Sequence, residues 1–437
     1  MVTFGWKAAL VACALLAGAQ AHAATPVAAR INGEPLYRFT LDVMLHNAPR
    51  QQGRPNPAVL LDTLVAERLT AAWVRASYGA AQLYPATGVG FARDVALDDK
   101  LVGALRSLYG KELEAELRAR PGGNLDSAIV EAYKVEPEKL ERLFGVPGKL
   151  RLDYTLGTER EALAKQVKLI RFTLGKTAPV TLSMHDILRR QNVQGRMEFF
   201  SRNIDFMQQQ ARAAVATRFV IDWASRRFGA GPMADLRQAL ADQDDVRAAM
   251  GLYGIADGAE AESPIQAALM RQVSEADIKA WYASHKEEFR ATERVKARHI
   301  RVADEATARE VAAAAARGDD FSALARRYSK AADAGRGGDL GWVVQTASPD
   351  WLAALALLQP EGQVSSPFRE AVGAGQAASW EILLVDKRIE GYHAAASETV
   401  RYQARKAIAM ARARSQFAAA RAQALRSAVI DTAGAAP

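Results

Sequence analysis

Stripes of apolar residues at helical spacing mark several segments of this chain, and with alanine and arginine abundant and β-branched residues sparse they predict a mostly helical protein. In "NPAVLLDTLVAERLTAAWVRASYG", Leu61, Leu64, Val65, Leu69 and Ala72 share one helical face. Asn56 suits the N-cap of that helix, Pro57 its first turn and Gly79 its stop. Ahead of it, "VAARINGEPLYRFTLDVMLHN" alternates briefly as a strand, turns at Asn32-Gly33 and passes into a helix. Further on, Ser274 caps a helix that runs to about His285, and the chain is extended from Val295 to Val302. "DEATAREVAAAAARGDDFSALARRYS" then gives a helix stopped at Gly318, a tight turn at Asp319-Asp320 and a second short helix. After the glycine-rich stretch from Tyr328 to Trp342, a helix beginning at Pro349 ends at Pro360. A short strand, a break at Pro367 and the apolar strand in "SWEILLVDKR" follow. This order predicts a compact α+β domain of about one hundred residues. The tail predicts one long helix with Val400, Ala404, Ile408, Ala411, Ala418, Ala422, Leu425 and Val429 in its apolar stripe. Packing back on the earlier helices would bury that stripe.

An internal echo complicates the helical part. "VAERLTAAWVRASYGA" aligns without gaps to "VATRFVIDWASRRFGA", pairing Arg68 with Arg218, Trp73 with Trp223 and Gly79 with Gly229. "LYG" at Leu108 recurs at Leu252, and "VEPEKLERLF" resembles "VSEADIKAWY". Either the helical module is duplicated or alanine-rich helices resemble one another by chance.

With 437 residues the chain exceeds one ordinary core, so two or more domains are expected. The opening "MVTFGWKAALVACALLAGAQAHAA" has one cation, Lys7, then an apolar run and small residues at Ala21 and Ala23. It reads as a secretory signal peptide cleaved after Ala23, too short to span a bilayer. "LVAC" at Cys13 also resembles a lipoprotein box, but the apolar run continues past it. Cys13 is the only cysteine, so cleavage would leave none and exclude disulfides, thiolate chemistry and cysteine metal sites. Such a chain suits a periplasm. The net charge of +8 is scattered through helical segments, which argues for a solvated surface and against nucleic acid. The histidines His46, His185, His285, His299 and His393 form no metal-ligand pattern, and no serine sits in a nucleophile elbow. No metal or cofactor is expected.

Residues 291–390 carry "ARHIRV", "GDDFSALARRYS", "GRGGDLGW", "LQPEGQVSSPF" and "LLVDKR" in an order and spacing that resemble the parvulin (PpiC, rotamase) family of peptidyl-prolyl cis-trans isomerases. The wider layout resembles the exported foldases of the SurA and PrsA kind. The resemblance implies a helical chaperone module plus a small antiparallel-sheet isomerase domain. Its expected divisions are 1–23 signal peptide, 24–176 first helical module, 177–290 second helical unit, 291–390 parvulin-like domain and 391–437 returning helix. "GRGGDLGW" lacks the lysine and hydroxyl of a phosphate loop and is read as a connection beside the prolyl pocket, with Asp339 a structural carboxylate.

The family's site uses two histidines, a nearby Cys or Asp, and Met and Phe walls. On this sequence the first histidine matches His299, and the Cys/Asp position falls at Ala331 with Asp333 as a displaced candidate. The Met position falls at Ala347, the Phe position at Trp351 and the second histidine at Trp380. Catalysis is thus expected at His299, and prolyl contact at Trp351, Trp380 and Leu340. Loss of the second histidine and of the acid would strip His299 of its polar network and weaken or abolish turnover. The implied function is isomerisation of X-Pro bonds in unfolded or nascent exported polypeptides, in the periplasm and without a stable membrane span. A degenerate holdase or assembly factor, serving an envelope secretion or export complex, is the alternative, and a structural envelope subunit a more distant one.

Overall fold

The computed structural model describes residues 26–49, 56–85, 89–148, 153–175, 178–256, 263–346, 350–372 and 377–432. The expected signal peptide with Cys13 and Ala23, the Met position Ala347 and the helix start Pro349 lie outside them. Ten strands occur among the described residues: β1 (Val27–Ile31), β2 (Glu34–Tyr37), β3 (Ile129–Ala132), β4 (Lys168–Phe172), β5 (Val180–Ser183), β6 (Arg290–Val302), β7 (Asp339–Val344), β8 (Phe368–Arg369), β9 (Trp380–Tyr392) and β10 (Ile430–Asp431). They form three small antiparallel sheets, ordered β10-β1-β2, β3-β4-β5 and β7-β6-β9-β8, and helices supply most of the rest. The expected class, mainly helical with an α+β domain, is the one observed.

The chain divides into two compact units, one of residues 1–261 with 414–437 and the other of residues 262–413. This differs from the divisions read off the sequence. A boundary at 176/177 would cut the β4-β5 hairpin, and one apolar core runs through both sides of it, from Phe39 and Leu105 to Phe172, Phe219 and Leu240. The echo does sit on two helices of this unit, Pro57–Ser77 and Ile204–Phe228, ending beside Gly79 and Gly229. Its last pair does not persist: the helix Pro137–Phe144 belongs to the first unit and Glu275–His285 to the second. A shared core leaves no separate second module at 177–290.

In the first unit, Asn56 caps the helix Pro57–Ser77 by accepting from the Ala58 N–H. Asn32 and Gly33, at φ 50° and 86°, make the tight β1-β2 turn. Residues after Arg414 lie on this unit. Phe417 packs edge-on against Trp73 and Tyr253, and β10 pairs with β1. The stripe of the last helix, Glu398–Arg426, is shifted from expectation: Ala411 and Ala418 are exposed, whereas Ala409, Ala413 and Phe417 are buried. Ala409, Ala413 and Phe417 recur every four residues, close enough to the 3.6-residue turn to share one face.

An acidic row on the helix Ala230–Leu252 was not read from the sequence. Asp235, Asp242 and Asp245 lie on one face and are buried. Arg68 bridges Asp235 at 2.7 Å and Asp242 at 3.1 Å, and Arg75 bridges Asp242 and Asp245, each at 2.8 Å. Removing one member of such a buried cluster leaves uncompensated charge. Arg68→Ala should therefore destabilise the first unit by about 3–5 kcal/mol, read as a lowered urea midpoint, whereas Arg38→Ala, in an exposed pair with Asp42, should change it by under about 1 kcal/mol.

Candidate active site

In the second unit the long strands β6 and β9 pair side by side, and alternation sends their side chains to two faces. Ile300, Val302, Ile382, Leu384 and Trp380 pack with Val311, Phe321 and Ala325 of the helices Glu305–Ala316 and Phe321–Tyr328. On the other face Val295, Ala297, Leu383 and Val385 pack under the helix Trp351–Leu358, with Leu340, Val343 and Leu355. His299 and Glu381 share this second face. His299 is the register partner of Leu383, and Glu381 lies two residues along β9.

His299 is buried between two carboxylates. Its Nδ1 lies 2.7 Å from Glu381 Oε2, and its Nε2 lies 2.9 and 3.1 Å from the two oxygens of Asp333. The Glu381 side chain is fully enclosed, and its other oxygen accepts from Arg301 Nε. Burial pulls the His299 pKa down, but the hydrogen bonds and charges of Glu381 and Asp333 outweigh it, so the imidazole titrates above its ordinary value.

The glycine stretch explains how Asp333 arrives there. The Asp333 carbonyl accepts from the N–H groups of Arg336 at 2.9 Å and Gly338 at 3.1 Å, and the Gly338 carbonyl accepts from the His299 N–H at 2.9 Å. Gly338 has φ +71°, and a Cβ there would lie 2.0 Å from the His299 carbonyl oxygen. The loop is thus fastened to the His299 backbone at one point and returns a carboxylate to its ring. Asp339 accepts from the Gly341 N–H at 2.8 Å, the turn-building role expected of it.

The predicted residues separate accordingly. His299, Leu340 and the displaced candidate Asp333 are on the site face. Trp351 opens the covering helix, half-buried beside its cap Asp350. Trp380 is placed differently from expectation: it packs into the core of the opposite face, because strand alternation turns it away from His299. The position facing His299 is its neighbour Glu381, which the sequence reading missed although counting alternate residues along "WEILLV" would have found it. The polar network expected to be lost is present, built from two carboxylates.

Residues 273–401 match the PPIC-type PPIASE domain family. This segment is a parvulin domain. Over 103 residues the chain is 36% identical to "Foldase protein PrsA" of Bacillus subtilis (strain 168), covering 23% of this chain and 33% of that protein. Over 69 residues it is 39% identical to "Chaperone SurA" of Vibrio vulnificus (strain YJ016), covering 16% of each. A solved PpiC-type peptidyl-prolyl cis-trans isomerase domain is 31% identical and covers 24% of this chain and 98% of that one, with a TM-score of 0.20. The match spans about a third of the length of the PrsA foldases.

Two outcomes follow from this geometry. Because the folded pKa of His299 is raised, its protonation contributes stability in full below about pH 6.5 and loses it as pH rises through the folded value. The stability difference between the wild type and His299→Gln, measured by denaturation across this window, should shrink as pH rises, and the imidazole should titrate by NMR with a midpoint above about 6.5. Gly338→Ala should lower the melting temperature of the parvulin domain far more than Gly362→Ala. Both have positive φ, but a Cβ at Gly362 meets nothing within 4 Å.

Proposed function

We propose that the chain is an exported parvulin-type peptidyl-prolyl cis-trans isomerase and chaperone that acts on X-Pro bonds of unfolded polypeptides. The observation that carries this reading is His299 held between Asp333 and Glu381, on the sheet face that also presents Leu340. The leader-like opening and the likeness to the PrsA foldase and the SurA chaperone support export and unfolded clients.

The chemistry needs no bond to break. Rotation about a peptide bond meets a barrier of about 18–20 kcal/mol because resonance puts negative charge on oxygen and double-bond character on C–N. A carboxylate beside the carbonyl oxygen penalises that charge-separated form, and an apolar wall removes the water that would stabilise it. Asp333 is the partly accessible carboxylate of the cluster, Leu340 belongs to the wall, and His299 fixes the position of Asp333. Glu381 is enclosed and acts on His299 alone.

One observation favours the binding-only alternative. An imidazolium has two N–H donors, and here both meet carboxylates, so none is left for a substrate carbonyl. Turnover decides between the two readings. In a protease-coupled assay on X-Pro tetrapeptides, the wild type should accelerate isomerisation. Asp333→Asn and His299→Ala should each lose at least about tenfold, some 1.4 kcal/mol of barrier, while Trp380→Phe should keep most of the activity. A folded wild type with no acceleration would leave the parvulin domain as a peptide-binding platform.

A further inference from the structure

The helices Glu305–Ala316 and Phe321–Tyr328 cover only the upper half of their sheet face. Below Arg298 that face carries Arg294, Lys296, Trp342, Val344 and Lys387, all exposed. Trp342 and Val344 are 44% and 52% exposed, which is unusual for large apolar residues on a strand. Lys296 is the register partner of both Trp342 on β7 and Lys387 on β9. Like charges placed directly opposite destabilise a sheet, and among the described residues neither lysine has an ion pair. The Arg294 guanidinium lies 4.9 Å from the Trp342 ring centroid, and its acid contact is the adjacent Glu293 at 3.9 Å. The patch therefore holds three cations around an aromatic and a β-branched side chain.

The same two apolar residues lie on the edge of the sheet, since β7 is the outermost strand of the order β7-β6-β9-β8. The Gln345 N–H donates to the Glu293 carbonyl at 3.1 Å, which fixes the antiparallel alternation. Val343 and Gly341 are then the hydrogen-bonded partners of Val295 and Ala297, and the main-chain groups of Trp342 and Val344 point away from β6. An edge with outward main-chain groups accepts an extended chain as an added strand. Cations beside it repel a second copy of the same edge and attract an acidic chain.

We propose that β7 and the uncovered half of this face bind an extended, acid-rich polypeptide segment as an added strand, with its apolar side chains on Trp342 and Val344 and its carboxylates toward Arg294 and Lys296, Lys387 adding to the positive field from the next strand but one. This names a client class and rests on the reading of the chain as a binder of unfolded polypeptide, but not on turnover. The patch is on the opposite sheet face from His299, so a bound strand leaves the prolyl site open.

The test uses the full chain and four fluorescent peptides of about ten residues. One carries Tyr and Glu in turn at every second position with Thr between them, so that both reach the same face, one replaces Glu by Lys, and two are the Glu peptide N-methylated at every second residue, one in each register. The Glu peptide should bind at least about tenfold more tightly than the Lys peptide and weaken as salt rises. N-methylation should abolish binding in one of its two registers. The double variant Lys296→Glu, Lys387→Glu should reverse the charge preference, and Trp342→Ser should weaken both peptides, while turnover of X-Pro tetrapeptides stays unchanged in each. Equal binding of the Glu and Lys peptides, an unaltered preference in the double variant, or indifference to N-methylation in both registers would each overturn the proposal. Absence of turnover with this binding pattern intact would instead count only against the isomerase reading.

Discussion

A charged imidazole can be buried only where negative charge is fixed around it, and the parvulin domain is arranged so that this is met at His299. β9 supplies Glu381 by strand alternation, and a glycine-built loop supplies Asp333 by returning to the strand it has just left. Arg301, two residues from His299 on the same strand, offsets part of the resulting negative charge by pairing with Glu381. Two carboxylates and two cations thus form one chain of contacts from the rim of the sheet to the cleft. Each member's charge is set against its neighbour's, and the loop that delivers Asp333 is fastened to the His299 backbone, so the shape of the loop and the charge of the site are set together.

The first unit solves a related problem for a different end. Asp235, Asp242 and Asp245 are as deeply buried as His299, but their partners gather from several elements: Arg68 and Arg75 from Pro57–Ser77, Arg93 on Asp245 and Thr40 on Asp235. The arginines' partial exposure lets them hold carboxylates while keeping part of their own hydration. This row ties its own helix to three neighbours, Arg38–Asn47, Pro57–Ser77 and Arg93–Arg118. The His299 cluster, by contrast, leaves Asp333 within reach of a ligand.

How much of this was legible in the sequence depended on the range of the interaction. Helix caps at Asn56 and Ser274, the Asn32-Gly33 turn and the stop at Gly318 are local, and each is where the chain predicts it. The parvulin segment was legible because several motifs recur in fixed order. The partner of His299 was misplaced by one residue, onto Trp380, since a motif match tolerates such a shift whereas a pleated strand inverts its faces with it. Asp333 was legible only as displaced, because two residues of offset are absorbed by a loop whose path depends on Gly337 and Gly338. The acidic row of Ala230–Leu252 was not legible at all. Aspartates on an amphipathic helix read as its solvent face until the arginines of Pro57–Ser77, more than 150 positions away, are placed against them.

The pairing of β1 with β10 has a consequence for how the chain is made. Asn32 Oδ1 accepts from the Val429 N–H across 397 positions, and the Asn32 N–H donates to the Val429 carbonyl. During synthesis β1 is among the first described elements to emerge, and its partner is among the last. The intervening residues 262–413 can complete their own core while that edge waits. The first unit is therefore discontinuous in time as well as in sequence. It closes only once β10 has been made, and until then β1 offers an open edge whose proper occupant is that later strand of the same chain.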